Sequence, residues 1–272
     1  MNDTAWALTW AGLLGLLTGS FLNRLIHRLP RMLQAQWEAL PSAPSPAEPS
    51  YNLLVPRSHC PECLQTLKWH HQIPVLGFLH LRGRCAHCKT SISWRYPIIE
   101  LVTAGLFVWV FAQHGWGFQA WVWAGFAAAL VALAAIDADT RLLPDAITQP
   151  LVWSGLLAAS LGLSGVLLSD ALWGAAAGYL FLWSVFWLFK GLTGKDGMGQ
   201  GDFKLLAALG AWLGWPALLS LVLIASLTGI LAAMVLKLRG QLAQGGEMAF
   251  GPCLVLAGLW VMVWGPLPQV IF

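Results

Sequence analysis

The chain has 272 residues, of which 58% are hydrophobic and only 10% are charged, with 17 tryptophans and a formal net charge of +3. A soluble domain carries about 25% charged residues, so this composition excludes an ordinary soluble protein. It predicts an all-α polytopic membrane protein. We expect a lipid bilayer as its surroundings and no nucleic acid as a partner.

Apolar runs of about 17 to 25 residues can cross a bilayer. We predict eight such spans, with seven as the alternative, because only Gly214-Trp215-Pro216 separates the short sixth run from the seventh. The predicted spans are approximately residues 5–23, 97–113, 117–136, 146–163, 170–189, 203–214, 217–236 and 250–269.

The positions of the basic residues predict the orientation of these spans. If the N-terminus is outside, the inside loops are residues 24–96, 137–145, 190–202 and 237–249, and all fifteen Lys and Arg lie in them or at their edges. Cytoplasmic loops carry an excess of Lys and Arg. Both termini are therefore expected to face away from the cytoplasm.

The first inside loop divides the chain into three regions. Residues 1–23 form the first transmembrane helix, residues 24–96 the cytoplasmic loop, and residues 97–272 a seven-helix membrane domain. Within the loop, residues 32–56 contain a Pro-rich stretch and are predicted to be a linker. Residues 57–96 are predicted to form a compact cysteine-bearing module.

Four cysteines in this module, Cys60, Cys63, Cys85 and Cys88, have the spacing C-x2-C-x21-C-x2-C. Two such knuckles supply four thiolates in a tetrahedral array, which is the closed geometry of a structural zinc site. The predicted topology places them in a reducing compartment, where metal binding is favoured over a disulfide. We therefore predict a zinc ion that stabilises the loop and takes no part in chemistry.

A glycine-rich stretch with Gly197, Gly199 and Gly201 leads directly to Asp202, at the start of an apolar run. An acid at the edge of the membrane marks a functional site, because burying its charge is costly. Three closely spaced glycines allow another chain to approach. The alternative is a flexible cytoplasmic loop that ends in an N-capping aspartate.

Five of the twelve acidic residues lie close to span ends on the predicted inside face: Glu100, Asp137, Asp139, Asp145 and Asp202. Two aspartates from different helices at one face suggest a proteolytic pair that shares a proton. One carboxylate then activates water while the protonated one polarises the scissile carbonyl.

We rank Asp137 and Asp202 first for this pair, because each directly abuts its apolar run. The other acids have simpler alternatives. Asp145 follows a proline and can be a helix N-terminal residue stabilised by the helix dipole. Asp139 can pair with Arg141 within the loop.

In their order along the chain, these motifs resemble the type IV prepilin leader peptidase family. Members of this family serve pilus and type II secretion systems and are bifunctional, acting as prepilin peptidases and as N-methyltransferases. Their peptidase activity is that of an aspartic membrane protease with a Gly-x-Gly-Asp motif. The resemblance covers essentially the whole chain, through residues 19–23, 27–30, 56–63, 81–85, 95–100, 137–145 and 199–202. One segment departs from it: His71-Gln72-Ile73-Pro74 stands where the family tends to have Asp-Asn-Ile-Pro.

The resemblance implies that Asp137 and Asp202 are the catalytic aspartates and that the four cysteines bind zinc. It implies cleavage of a prepilin or pseudopilin leader after a Gly, on the cytoplasmic side of the bacterial inner membrane, with both termini in the periplasm. It also implies N-methylation of the new N-terminus with S-adenosylmethionine. The sequence contains no glycine-rich motif of the soluble methyltransferase type, so the donor-binding residues stay unassigned.

Two other classes of function are weighed against this one. A proton- or ion-coupled transporter can use membrane-edge carboxylates as a relay, although transporter acids usually lie near the bilayer midplane. A zinc-loop assembly scaffold without catalytic activity is the third possibility.

Overall fold

The computed structural model describes residues 2–39, 52–53, 55, 57–195, 197–240 and 248–267. Within these ranges the regular structure is helical, with two isolated β-bridges and no strand. The predicted all-α class is therefore confirmed. The chain divides into two compact units, Met1–Ala128 and Ala129–Phe272.

The first unit is built on the packing of helix α1 (Asn2–Ala39) against helix α3 (Arg95–His114). Glycines on α1 allow the two backbones to approach closely. A Cβ atom at Gly15 would lie 2.6 Å from the Cα atom of Ala104, and one at Gly19 would lie 2.6 Å from the Cα atom of Glu100. Small residues at such crossings are typical of membrane helix pairs.

Helix α1 extends beyond the predicted first span of residues 5–23. It continues to Ala39, so residues 32–39, which were predicted as the start of the linker, are helical. The reason lies in their composition, because Leu, Gln, Ala and Glu are good helix formers and the prolines begin only at Pro41. The Pro-rich stretch itself, residues 41–49, lies outside the described residues.

The predicted cysteine module lies between α1 and α3. It contains a short 3₁₀ helix (Trp69–Gln72) and helix α2 (Leu76–His80). The two isolated bridges, His59 with Thr66 and Arg84 with Ser91, each close a small turn that carries one pair of cysteines. Helix α4 (Phe118–Thr140) begins in the first unit and ends in the second.

The second unit contains the end of α4 and five further helices with a short 3₁₀ turn (Trp215–Ala217). These helices are α5 (Asp145–Ser160), α6 (Leu168–Thr193), α7 (Gln200–Leu213), α8 (Leu218–Leu238) and α9 (Gly251–Trp264).

Helix α7 is the centre of this unit, because ten of its fourteen residues are buried. It packs against α5, α6 and α9. Gly210 and Gly174 of α6 lie so close that a Cβ atom on either would collide with the other's backbone carbonyl. On the α5 side, Trp212 donates its Nε1–H to the carbonyl of Leu151 at 2.8 Å. Asp202 is thus held on a short, enclosed helix.

The break between the sixth and seventh predicted spans is confirmed. Helix α7 ends at Leu213, and Gly214 follows with φ +81° before the 3₁₀ turn leads into α8. A side chain is strained at such a φ value, whereas glycine adopts it freely. The glycine therefore ends one helix and permits the turn into the next.

Five helices among the described residues are long and apolar enough to cross a membrane: Ala5–Gln36, Arg95–His114, Phe118–Thr140, Leu168–Thr193 and Trp215–Leu238. Three of the shorter helices, α5, α7 and α9, have 16, 14 and 14 residues. At 1.5 Å per residue they are about 21 to 24 Å long, less than the hydrocarbon core of about 30 Å. The number of eight crossings, and their orientation, stays a prediction.

Candidate active site and metal site

Asp137 lies in the last turn of α4 and is only 4% exposed. Its Oδ2 atom accepts a hydrogen bond from the backbone N–H of Gly251 at 2.9 Å. Gly251 is the first residue of α9, so the carboxylate lies at the positive end of a helix dipole. Gly251 has no room for a side chain, because a Cβ atom there would lie 2.7 Å from Asp137 Oδ2.

Asp202 lies in the first turn of α7 and is 5% exposed. Its backbone N–H donates to the carbonyl of Gly199, the N-cap residue, at 3.2 Å. The first turn is held close to the loop between α4 and α5, since a Cβ atom at Gly201 would lie 2.6 Å from the Cβ atom of Leu143. Asp202 is therefore buried within the second unit.

The two predicted catalytic aspartates come together at one site. The charge of Asp137 acts electrostatically on Asp202, and both carboxylates act on the buried thiol of Cys253. The site is therefore built from three chain segments, at the end of α4, the start of α7 and the start of α9. Two neighbouring buried carboxylates are suited to general acid–base chemistry, because one can hold a proton while the other accepts one.

The three glycines before Asp202 differ in their surroundings. A Cβ atom at Gly197 would lie 2.6 Å from the ring of Phe189, so this glycine, like Gly201, is required by packing. At Gly199 the nearest atom to such a Cβ is Asp202 Oδ2, at 3.8 Å. Of these three glycines, Gly199 therefore lies beside the Asp202 carboxylate and has open space where a side chain would be.

Asp145 has the role that its position after a proline predicts. It is in the first turn of α5, its side chain is 61% exposed, and its Oδ1 atom pairs with Lys204 Nζ at 2.6 Å. An exposed ion pair of this kind contributes little to stability. This arrangement makes Asp145 a surface residue that joins α5 to α7.

The four predicted metal ligands are also brought together, in the first unit. All four cysteine sulfur atoms lie within 4.8 Å of one another, with 3.7 Å between Cys60 and Cys88 and 3.9 Å between Cys63 and Cys85. Tetrahedral coordination with zinc–sulfur bonds of about 2.3 Å gives sulfur–sulfur distances of about 3.8 Å. The cluster therefore has the dimensions of a four-thiolate metal site.

The backbone around the cysteines favours metal binding. Cys60 and Cys85 each donate their N–H to the carbonyl five residues later, Gln65 at 3.0 Å and Thr90 at 2.8 Å. Hydrogen bonds with the hydroxyl and the backbone of Thr90 lower the pKa of the Cys88 thiol to about 6. At Cys63 the backbone hydrogen bond with Gln65 lowers the pKa, but burial and hydrogen bonds with the other three cysteines outweigh it and raise the pKa to about 11. At Cys88 the lower pKa favours the thiolate, which is the form that binds metal.

The structure adds two residues that the sequence reasoning did not assign to a site. Gly251 is one, and its only sequence signal is a Gly-Pro pair at the start of an apolar run. Glu100 is the other. It belongs to the first unit, where its Oε2 atom accepts the backbone N–H of Val75 at 2.7 Å. Val75 has φ +58° at the N-cap of α2, so the buried carboxylate fixes an unusual backbone conformation.

Residues 71–74, where the sequence differs from the Asp-Asn-Ile-Pro that the family tends to have, contribute to the local packing of the module. Gln72 donates its Nε2–H to the carbonyl of Leu67 at 3.1 Å, which fixes the 3₁₀ helix to the turn before it. The backbone of His71 approaches Gly77 so closely that a Cβ atom at that glycine would collide with the His71 carbonyl.

Comparison with known protein families gives two matches in sequence. Residues 13–114 match the family described as the bacterial peptidase A24 N-terminal domain. Residues 124–234 match the type IV leader peptidase family. The first match includes the metal cluster and the second includes both aspartates.

Several curated proteins are similar over nearly their whole length, and each is named prepilin leader peptidase/N-methyltransferase. The protein of Aeromonas hydrophila is 50% identical over 266 residues, covering 93% of this chain and 89% of its own. That of Pseudomonas aeruginosa is 48% identical over 259 residues, with the same shares. That of Burkholderia pseudomallei strain 1026b is 45% identical over 269 residues, covering 96% and 87%. No solved structure matches the chain.

Proposed function

The chain belongs to the type IV leader peptidase family, and we propose that it is a membrane aspartic endopeptidase whose catalytic residues are Asp137 and Asp202. It removes the leader of type IV prepilins or pseudopilins after a Gly and then methylates the new N-terminal amine. Relatives at 45 to 50% identity that carry the name prepilin leader peptidase/N-methyltransferase support both activities.

The observation that carries the peptidase proposal is the meeting of two buried carboxylates from separate helices. Two buried acids whose charges interact can share a proton, since both cannot readily ionise together. The ionised carboxylate takes a proton from water, which attacks the scissile carbonyl carbon. The protonated carboxyl donates its proton to the carbonyl oxygen. When the carbon–nitrogen bond breaks, the carboxyl that took the water proton gives it to the departing amine nitrogen, and the other carboxylate regains a proton as the carbonyl re-forms.

In this proposal the substrate peptide reaches Asp137 and Asp202 along the segment Gly197–Gly201. The open side of Gly199, next to Asp202 Oδ2, supports an extended peptide lying against the backbone there. Gly197 and Gly201 act differently, because their close contacts shape the loop that presents Gly199. The prepilin's own apolar helix would lie in the bilayer beside the enzyme.

The metal in the cysteine cluster is proposed to be zinc in a structural role. Four thiolates complete its coordination and leave no open position for a reacting water. S-adenosylmethionine is the proposed methyl donor, by analogy with the name of the relatives. The protein is proposed to lie in the inner membrane of a bacterium. The cysteine cluster and the aspartates would face the cytoplasm, and both termini the periplasm. The positions of Lys and Arg in the sequence support this orientation.

A cleavage assay with purified protein and a prepilin tests the assignment of the aspartates. Asp137→Asn and Asp202→Asn should each abolish cleavage, because an amide can neither accept the proton of water nor share one with its partner. Asp145→Asn is the matched control and should cleave normally, since that carboxylate is exposed and paired with Lys204. Cleavage at the wild-type rate by either of the first two variants would show that the residue is not catalytic.

A further inference from the structure

The first unit contains a cavity of about 720 Å³ between α2 and the start of α3. Pockets for small molecules have volumes of about 300 to 1,000 Å³, so this one is large enough for a nucleoside derivative. The aromatic, basic and hydroxyl side chains in its wall are those of Phe78, Arg82, Arg84, Ser91, Ser93 and Trp94.

Two aromatic rings form an apolar part of the cavity wall. The ring centroids of Phe78 and Trp94 are 4.8 Å apart, with planes inclined at 57°. Trp94 is 68% exposed, so much of its face is available to a ligand. Aromatic faces stack with purine bases and also attract cations such as a sulfonium.

The polar groups of the cavity complement two further parts of such a ligand, its carboxylate and its ribose. The guanidinium groups of Arg82 and Arg84 are suited to a carboxylate, which arginine binds with two parallel hydrogen bonds. The hydroxyls of Ser91 and Ser93 both donate and accept, as the hydroxyls of a ribose require. S-adenosylmethionine combines a purine, a ribose, a carboxylate and a sulfonium in one molecule.

The cavity wall is part of the second cysteine turn. Ile92 donates its N–H to the carbonyl of Gly83 at 2.7 Å, and Arg84 is bridged to Ser91, so the turn that carries Cys85 forms one side of the cavity. Trp94 immediately precedes α3, one of the helices long enough to cross the membrane. The cavity therefore lies close to the start of a helix that is long enough to cross a membrane.

A second cavity in this unit is less suitable. It has a volume of about 390 Å³, and its wall includes the three arginines Arg24, Arg28 and Arg57 together with Trp69. It offers one aromatic ring where the larger cavity offers a pair. Its charge fits a simple anion better than an adenosyl group.

We propose that the larger cavity binds S-adenosylmethionine, with the adenine against Trp94 and Phe78 and the carboxylate on Arg82 and Arg84. This inference rests on the methyltransferase activity proposed above. The new N-terminal amine attacks the methyl carbon, and the carbon–sulfur bond breaks with both electrons going to sulfur. The methylated ammonium loses its proton to water, and S-adenosylhomocysteine leaves.

Equilibrium dialysis of radiolabelled S-adenosylmethionine against the full-length protein in lipid nanodiscs tests the site directly. Trp94→Ala should weaken binding by about tenfold, the usual effect of removing one stacking ring. Trp94→Phe should restore most of the affinity. Trp69→Ala is the matched control, since this tryptophan is 78% exposed, belongs to the same module and lines only the smaller of the two cavities.

Metal content and prepilin cleavage, measured on the same preparations, report whether each variant is folded. The proposal is supported if Trp94→Ala loses binding while retaining its metal and its cleavage activity. It is overturned if Trp94→Ala binds like the wild type, or if Trp69→Ala loses binding to the same extent. A wild-type protein that cleaves prepilin but binds no label overturns the methyltransferase proposal as well, while leaving the peptidase proposal intact.

Discussion

The backbone N–H of Gly251 donates a hydrogen bond of 2.9 Å to Oδ2 of Asp137, and the two residues are 114 positions apart in the chain. The bond joins the first residue of α9 to the last turn of α4. It fixes one carboxylate oxygen of Asp137. A residue without a side chain therefore determines where a proposed catalytic group lies.

Gly251→Ala is predicted to reduce prepilin cleavage by about a hundredfold. The new methyl group would lie 2.7 Å from Asp137 Oδ2, so either the carboxylate or the start of α9 must move. A displacement of about 1 Å at a reacting group can cost that much in rate. The measurement is kcat/KM for leader removal.

Gly229→Ala is the control for this variant. A Cβ atom at Gly229 would meet its nearest neighbours, in Phe250 and Cys253, only at ordinary contact distances of 3.5 to 3.8 Å. It should cleave normally. If Gly251→Ala also cleaves normally and remains folded, the hydrogen bond does not position Asp137 for the reaction.

Cleavage is predicted to have a bell-shaped dependence on pH. At low pH both Asp137 and Asp202 are protonated, so neither can accept a proton from water. At high pH both are ionised, so neither can donate to the carbonyl oxygen. The measurement is kcat/KM over the pH range in which metal content and helix content are constant. A rate that rises to a plateau and does not fall would contradict a shared proton.

The positions of Asp137 and Asp202 in the site could be predicted from sequence because each directly adjoins an apolar helix. For these two residues, the local pattern of an aspartate directly next to an apolar run was sufficient for the prediction. The cysteine cluster was predictable for the same reason, since each knuckle is a local turn and its spacing is visible in the chain. Confirmation came from the sulfur–sulfur distances.

Long-range packing was not predictable in this way. Gly251 contacts Asp137 only because α9 begins beside the end of α4, and no local pattern records that. Composition likewise could not show that α7, a helix of 14 residues, is enclosed by its neighbours, because a buried helix and a lipid-facing helix are both apolar. The helical conformation of residues 32–39, at the start of the predicted linker, was not anticipated because prolines further along dominated the composition.

Loss of one cysteine ligand is predicted to remove the metal and loosen the module. Cys85→Ser leaves three thiolates for a tetrahedral ion whose binding free energy stabilises the fold. The measurements are metal per chain and the rate of proteolysis within residues 57–96. Cys253→Ser is the control, because this buried cysteine lies in α9 and outside the cluster, and it should retain one metal per chain. A Cys85→Ser protein with a full complement of metal would contradict the four-thiolate site.

Glu100→Ala is predicted to destabilise the attachment of the module to α3 by about 1 to 3 kcal/mol. The variant leaves the part-buried backbone N–H of Val75 without its acceptor at 2.7 Å, and an unpaired donor shielded from water costs about this much. Glu100→Gln retains an acceptor oxygen and should lose less. Because Val75 is held at φ +58° just before α2, we expect the effect as faster hydrogen exchange at residues 75–80.

Glu62→Gln is the matched control for this prediction, since Glu62 is an exposed acid of the same module and should leave exchange unchanged. Metal content should also stay constant in Glu100→Ala, because the cysteine turns make their own backbone hydrogen bonds. Equal exchange rates in Glu100→Ala and the wild type would mean that the carboxylate does not hold Val75. Exchange that rises together with loss of metal would place the role of Glu100 in the cluster itself. The combination of faster exchange at residues 75–80 with retained metal identifies it as the group that fixes α2 to α3.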